Sequence, residues 1–135
     1  MSLRCPKGYR FHVVSTIAES SGYVSNVLPE DQTQTWRIEL RTSLDNEMIG
    51  YVDVAQTLLG FWETHSYLDA PHRGNGLGTL MYAKAIDTLL KFGQDIRSSM
   101  TPSPNAEGCW RSKKLRDHYV IKRKGGRFHA ISRKS

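Results

Sequence analysis

Cysteine is scarce in this chain of 135 residues: Cys5 and Cys109 are the only two. They cannot build a disulfide framework or a four-cysteine zinc site, so a cytoplasmic setting is the default expectation. Long apolar runs are missing too, since the longest, Leu58 to Trp62, is interrupted by Gly60. A spanning helix needs about 20 apolar residues and a secretory signal needs an apolar core, so neither a membrane nor secretion is expected. The histidines His12, His72, His118 and His129 show no metal-ligand spacing, and no metal is expected. Acids are nearly missing from one end. Residues 110 to 135 hold 10 Lys and Arg against Asp117 alone, a net charge of +9, whereas residues 1 to 109 hold 9 Lys and Arg against 12 Asp and Glu, net −3. A basic tail of this kind implies an anionic partner. What is present, 39% apolar and 10% aromatic residues, suffices for the core of one domain of about 100 to 150 residues.

Residues 9 to 17 read as a strand with Phe11, Val13 and Val14 as its apolar members. Residues 19 to 34 are polar and weakly periodic, which predicts a loop with room for one short helix. From 35 to 42, Trp36, Ile38 and Leu40 alternate with Arg37, Glu39 and Arg41, the period of a half-buried strand. Leu44-Asp45-Asn46 supplies turn chemistry and residues 48 to 55 resume the strand pattern, so a hairpin is predicted. Residues 61 to 68 read as a third consecutive strand. Leu77, Leu80, Met81, Ala85 and Leu89 then fall on one stripe, widened by Ile86, Leu90 and Phe92, which predicts a helix of about four turns ending at Gly93. A short strand from 95 to 100 and a helix from Pro104 to about Leu115, capped by Ser103, follow. A basic hairpin of residues 118 to 122 and 127 to 131 turns at Gly125-Gly126.

The informative feature is a strand, then Arg73-Gly74-Asn75-Gly76-Leu77-Gly78, then a helix. Glycines at alternate positions let the backbone turn tightly where the helix start offers unpaired N–H groups and a partial positive charge. That arrangement binds phosphate, and Arg73 can add a charge-assisted contact. A Walker loop is excluded because Gly78 is followed by Thr79 with no lysine, and a dinucleotide fingerprint would need glycine at position 79.

On these residues the sequence resembles the GNAT superfamily of N-acetyltransferases. The segment from His65 through Arg73-Gly74-Asn75-Gly76-Leu77-Gly78-Thr79 to Met81 is similar to the family's fourth strand, pyrophosphate loop and following helix, and Met48-Ile49-Gly50-Tyr51-Val52 lies in the preceding hairpin. The resemblance implies a mixed α/β fold of one domain, with a mostly antiparallel twisted sheet of about six to seven strands flanked by helices and a shortened N-terminal helical region. It implies acetyl-CoA as co-substrate. Arg73, Gly74, Asn75, Gly76, Leu77, Gly78 and Thr79 would surround the pyrophosphate, the Leu68 backbone would face the thioester, and Asn105 would meet the pantetheine arm unless, like Ser103, it serves the helix start. Two positions depart from the family: Pro71 lies two residues before Arg73 rather than three, and Trp110 stands where a tyrosine often protonates the leaving thiolate.

Acetyl transfer to a primary amine by direct attack needs a neutral amine, a donor for the oxyanion and a proton for the thiolate. A lysine acceptor, with a pKa near about 10.4, needs a base more than an α-amino group near about 8. Glu63 is the expected base, with His65 as its competitor; Leu68 N–H is the expected oxyanion donor and Tyr119 the expected acid. Arg111, Lys113 or Lys114 would reach the CoA phosphates. Cys109 reads as a structural thiol. The acceptor, protein or small molecule, and the oligomeric state, a dimer included, stay open. The alternative is a catalytically degenerate CoA-binding module, or a module that binds nucleic acid through the basic C-terminal hairpin.

Overall fold

The alternating segments pair in the order in which they occur. In the computed structural model, which describes residues 4–17, 34–56, 62–91, 93–99 and 102–134, four strands form an antiparallel meander. They are β1 (Tyr9–Ile17), β2 (Gln34–Thr42), β3 (Met48–Gln56) and β4 (Trp62–Leu68). The register places Val13 opposite Ile38, Ile38 opposite Val52 and Val52 opposite Ser66. Asn46, at φ 56°, turns the β2–β3 hairpin.

β4 meets the next strand, β5 (Ile96–Arg97), in parallel at one pair, Glu63 with Arg97. β6 (Tyr119–Lys124) and β7 (Arg127–Arg133) form the basic hairpin, with β7 beside β5. The order of the seven-stranded sheet is β1-β2-β3-β4-β5-β7-β6. The expected mixed α/β class therefore holds. The expected strand from 95 to 100 shrinks to two residues, although Ser98 N–H still bonds Phe128 O on β7 at 2.9 Å. Of residues 19 to 34, to which the sequence assigns a loop with room for one short helix, Gln34 opens β2 and the rest lie outside the described residues, as do Phe61, Phe92 and Met100.

Three α-helices complete the described chain: α1 (Leu77–Lys91), α2 (Pro104–Arg111) and α3 (Lys113–His118). The stripe predicted for α1 is buried, with Leu77, Met81, Ala85, Ile86 and Leu89 in one core with Ile38, Leu40, Val52 and Val54. Each such aliphatic side chain contributes about 1.5–3 kcal/mol on leaving water. α1 packs on β2, β3 and β7, so one helix spans the join between the meander and the terminal hairpin. Gly93, at φ 71°, ends it: Gly93 N–H bonds Leu90 O and Gln94 N–H bonds Leu89 O, the paired bonds of a Schellman cap.

The helix expected from 104 to 115 is two helices. Trp110 and Leu115 are both fully buried, yet five residues along a continuous helix lie about 140° apart and cannot share a face. Ser112 resolves this by adopting an extended conformation, and its hydroxyl accepts from Leu115 N–H at 3.3 Å to start α3. Ser103 caps α2 as expected, accepting from Ala106 N–H at 3.2 Å. Among the described residues no helix is long and apolar enough to cross a membrane.

Candidate functional site

The glycine segment meets α1 at its first turn, as the spacing predicts. Gly74 and Gly76 adopt φ of 85° and 84°, values that an L side chain reaches only with strain. Leu80 N–H bonds Gly76 O, so the N–H groups of Leu77, Gly78 and Thr79 precede the first intrahelical bond and are left for another acceptor. A side-chain carbon added at Gly78 would lie 3.1 Å from Cys109 Sγ and fill the space between α1 and α2. The three glycines therefore do two jobs: two turn the loop and the third keeps a cleft open.

That cleft has a volume of about 410 Å³. Of the residues that the resemblance brings to CoA, Leu68, Arg73, Gly74, Gly76, Gly78, Thr79 and Asn105 line it. Asn75 and Leu77 do not. Asn75 is exposed, and Leu77 is only 2% exposed because its side chain belongs to the core. Leu77 can contribute its backbone N–H alone.

β4 supplies the opposite wall. Asp69 N–H bonds Ile49 O, and ladder alternation then turns the N–H and C=O of Leu68 and Ser66 away from β3. Arg73 Nε reaches one of them, donating to Leu68 O at 2.7 Å. β5 is too short to pair this end of β4, so Ser66 and Leu68 present backbone donors beside the cleft. Leu68 N–H, the group expected to face an oxyanion, stands on this wall with Ser66 as a neighbour.

The expected acid, Tyr119, is not at the cleft. It is 1% exposed, and its hydroxyl donates to Ala83 O at 3.1 Å and Asp87 Oδ1 at 2.8 Å, on a part of α1 remote from the glycines. Burial, with Asp87 beside it, pushes its pKa up, and Arg133 completes the group by pairing with Asp87. A strand tyrosine at the start of β6 is drawn into the core here by the carboxylate three turns along α1. The backbone of Glu63 pairs with Ala55 and Arg97, and its side chain lies outside the described residues. His65 stands opposite Asp53 in the register; burial holds its pKa below the ordinary value, with Asp53 opposing.

The sequence reading misses Tyr82 and Ser66. Their hydroxyl oxygens lie 2.8 Å apart, in direct hydrogen-bond contact, and both residues line the cleft. Burial pushes the Tyr82 pKa up to about 12, so the phenol stays protonated and available as a donor at neutral pH. The signal was a polar atom on an otherwise apolar helix face, next to Met81. Cys109 is half-buried and its thiol is held above its usual pKa by burial, which agrees with a structural role.

Part of the basic tail is paired within the chain. Arg111 pairs with Glu107 at 3.2 Å and lies over the Phe128 ring at 5.3 Å, and Arg123 covers the same ring at 4.9 Å. Lys113 pairs with Asp117 at 2.8 Å. Neither Arg111, Lys113 nor Lys114 lines the cleft, because α2 presents Asn105, Ala106, Gly108 and Cys109 to it instead. No protein-family model and no curated protein matches the sequence.

Proposed function

We propose that the chain is an N-acyltransferase of the GNAT type, which moves an acyl group from a CoA thioester, acetyl-CoA being the simplest, to a primary amine. The observation that carries this reading is the cleft: a glycine loop and a helix N-terminus on one side, unpaired strand donors on the other, and the gap left by a two-residue β5 between them. The residues fit the donor. Outward N–H groups at the start of α1 suit a pyrophosphate, worth about 0.3–2 kcal/mol for the charge-to-dipole part, and the free edge of β4 suits an amide-bearing arm.

CoA, when bound, supplies an activated acyl carbon and a thiol leaving group. The chain's residues then act by position. Leu68 and Ser66 N–H point to where an oxyanion forms, an interaction worth about 3 kcal/mol when preorganised. Tyr82, bonded to Ser66, is the donor nearest the reacting centre, while Trp110 occupies the position of the family's tyrosine. The amine attacks from the sheet face that carries Glu63 and His65, where either residue takes its proton.

Thiol release from acetyl-CoA over a panel of primary amines tests the reaction, and thermal unfolding tests the donor. Ligand at 100 times its Kd should add about 2.7 kcal/mol of stability. No release and no stabilisation would end the proposal.

A second reading draws on Lys114, Arg116, Lys122 and Lys124, which are exposed on α3 and β6. A nucleic-acid-binding module would use them, and its affinity would fall steeply with salt. Undetectable or salt-independent binding to RNA and DNA would remove it.

A further inference from the structure

α1 covers one face of the sheet, where Ile38, Val52, Phe128 and Ala130 are buried. Side chains alternate along a strand, so the residues between these belong to the opposite face. The register puts Arg97, His129 and Lys122 in one row across β5, β7 and β6 on that face, and Arg127 and Lys124 in the next. Lys122 and Lys124 are exposed, and among the described residues neither forms an ion pair. Burial, then the charges of Arg97, Lys124 and Arg127, hold His129 below its ordinary pKa, so these cations crowd one spot. β6 and β7 hold no acid; the nearest register positions with one are Glu63, opposite Arg97, and Asp95, two residues before it.

The fold does not account for this cluster. Lys124 stands directly opposite Arg127, and like charges so placed destabilise a ladder. A bound polyanion reverses that effect. Aromatic rings share the face: Tyr67 is 47% exposed, its ring 6.0 Å from that of Tyr51 on the neighbouring strand, with Arg37 4.2 Å over Tyr51 and Arg73 6.0 Å over Tyr67. An acidic peptide would satisfy the cations and leave the rings unused. Cations beside an exposed ring suit a chain whose anionic backbone carries flat, unpaired bases. In a duplex those bases stack on one another, out of reach of Tyr67. At about 4.8 Å between strands and about 3.3 Å per residue, Lys124 and Tyr67 stand at least about 16 Å apart, a span of several nucleotides.

We propose that single-stranded nucleic acid lies on this open face, with its phosphates on Lys122, Lys124 and Arg127 and a base on the Tyr67 ring. The proposal rests on the second reading above and narrows it to the sheet. α3, which carries Lys114 and Arg116, packs on α1 and so belongs to the covered side. A strand placed this way ends beside the first cleft, since Tyr67 lines that too.

Fluorescence anisotropy of a labelled oligouridine of about 12 nucleotides with the full chain tests this. Phosphates held by those three cations predict a slope of about −2.1 in log affinity against log salt, so affinity should fall about 20-fold between about 50 and about 200 mM salt. Lys122→Ala with Lys124→Ala should cut the slope to about −0.7, whereas Tyr67→Ala should weaken binding at least about fivefold at an unchanged slope. All three side chains are exposed, so their loss leaves the core intact. A slope unchanged in the double lysine variant, a Tyr67→Ala protein that binds like the wild type, or tighter binding of a duplex of the same length overturns the proposal. Polyglutamate that displaces the oligonucleotide at equal charge does so too, and assigns the face to an acidic protein. Losses confined to Lys114→Glu and Arg116→Glu would place the site on α3, so that the second reading survives without this one. If no nucleic acid binds, that reading fails and takes this one with it.

Discussion

Two glycines should answer the same substitution with opposite signs. A side-chain carbon at Gly50 would lie 2.8 Å from Tyr67 O, 2.8 Å from Leu68 Cδ1 and 3.3 Å from Leu68 Cα. Optimal separations are about 3.5–4.0 Å, so β4 must retreat by roughly 0.6 Å. The Leu68 side chain can rotate away, but the Tyr67 carbonyl is fixed in the ladder with Tyr51. Overpacking of this kind costs about 1–3 kcal/mol. At about 3–5 °C per kcal/mol for a domain of this size, Gly50→Ala should lower Tm by about 3–15 °C. It should also weaken CoA binding, because the displaced residue is a wall of the cleft. At Gly108, inside α2, an added carbon meets nothing within 4 Å, and the backbone is already helical. Gly108→Ala should therefore stabilise by about 0.5–1 kcal/mol, through the entropy of the unfolded chain. Differential scanning calorimetry of the two variants beside the wild type reads both effects. A Gly50→Ala protein within about one degree of wild type, or a fall of similar size at both positions, would refute the reasoning about close approach.

Gly76→Glu, which adds strain at φ 84° and a negative charge at the helix start, should abolish the stabilisation by acetyl-CoA; a shift equal to the wild type's counts against the phosphate loop. Tyr119→Phe should cost about 1–2 kcal/mol in urea unfolding yet leave kcat unchanged, and a large fall in kcat at intact stability would return Tyr119 to the mechanism. Burial, with Arg97, Lys124 and Arg127 nearby, holds His129 below its ordinary pKa, and burial does the same for His65. Below about pH 6.5 the unfolded chain then binds more protons than the folded one, so stability should rise with pH up to about 6.5 and level off. The stability gap between about pH 5 and about pH 7.5 should narrow in a His65→Gln, His129→Gln double variant, and an unchanged gap rules these two histidines out as its source.

Local pattern made much of the structure legible. The alternation of Trp36, Ile38 and Leu40, the turn at Asn46, the stripe from Leu77 to Leu89 and the cap at Gly93 are each decided within a few residues, and each is where the pattern places it. The glycine loop was legible for the same reason, since its geometry depends on consecutive backbone angles. What failed depends on partners distant in sequence. Tyr119 answers to Asp87, 32 residues away, and Arg123 to Phe128 and Glu107, so no reading along the chain separates a core tyrosine from a reactive one or a paired cation from an available one. Tyr82 was hidden because a phenol on a helix stripe looks like packing until the hydroxyl finds Ser66 on another element.

The join of β4 to β5 at one residue pair has a consequence for how the chain comes apart. Its seven strands are two antiparallel ribbons, each complete in its own hydrogen bonds, and α1 is the fastener across them. Separating the ribbons breaks few ladder bonds; what resists it is the side-chain surface under one helix. Cooperativity between the two halves of the sheet is thus set by Leu77, Met81, Ala85, Ile86 and Leu89 more than by the sheet itself. The seam that leaves room for a ligand is also the line along which the domain is weakest, and a molecule bound across it would act as a second fastener.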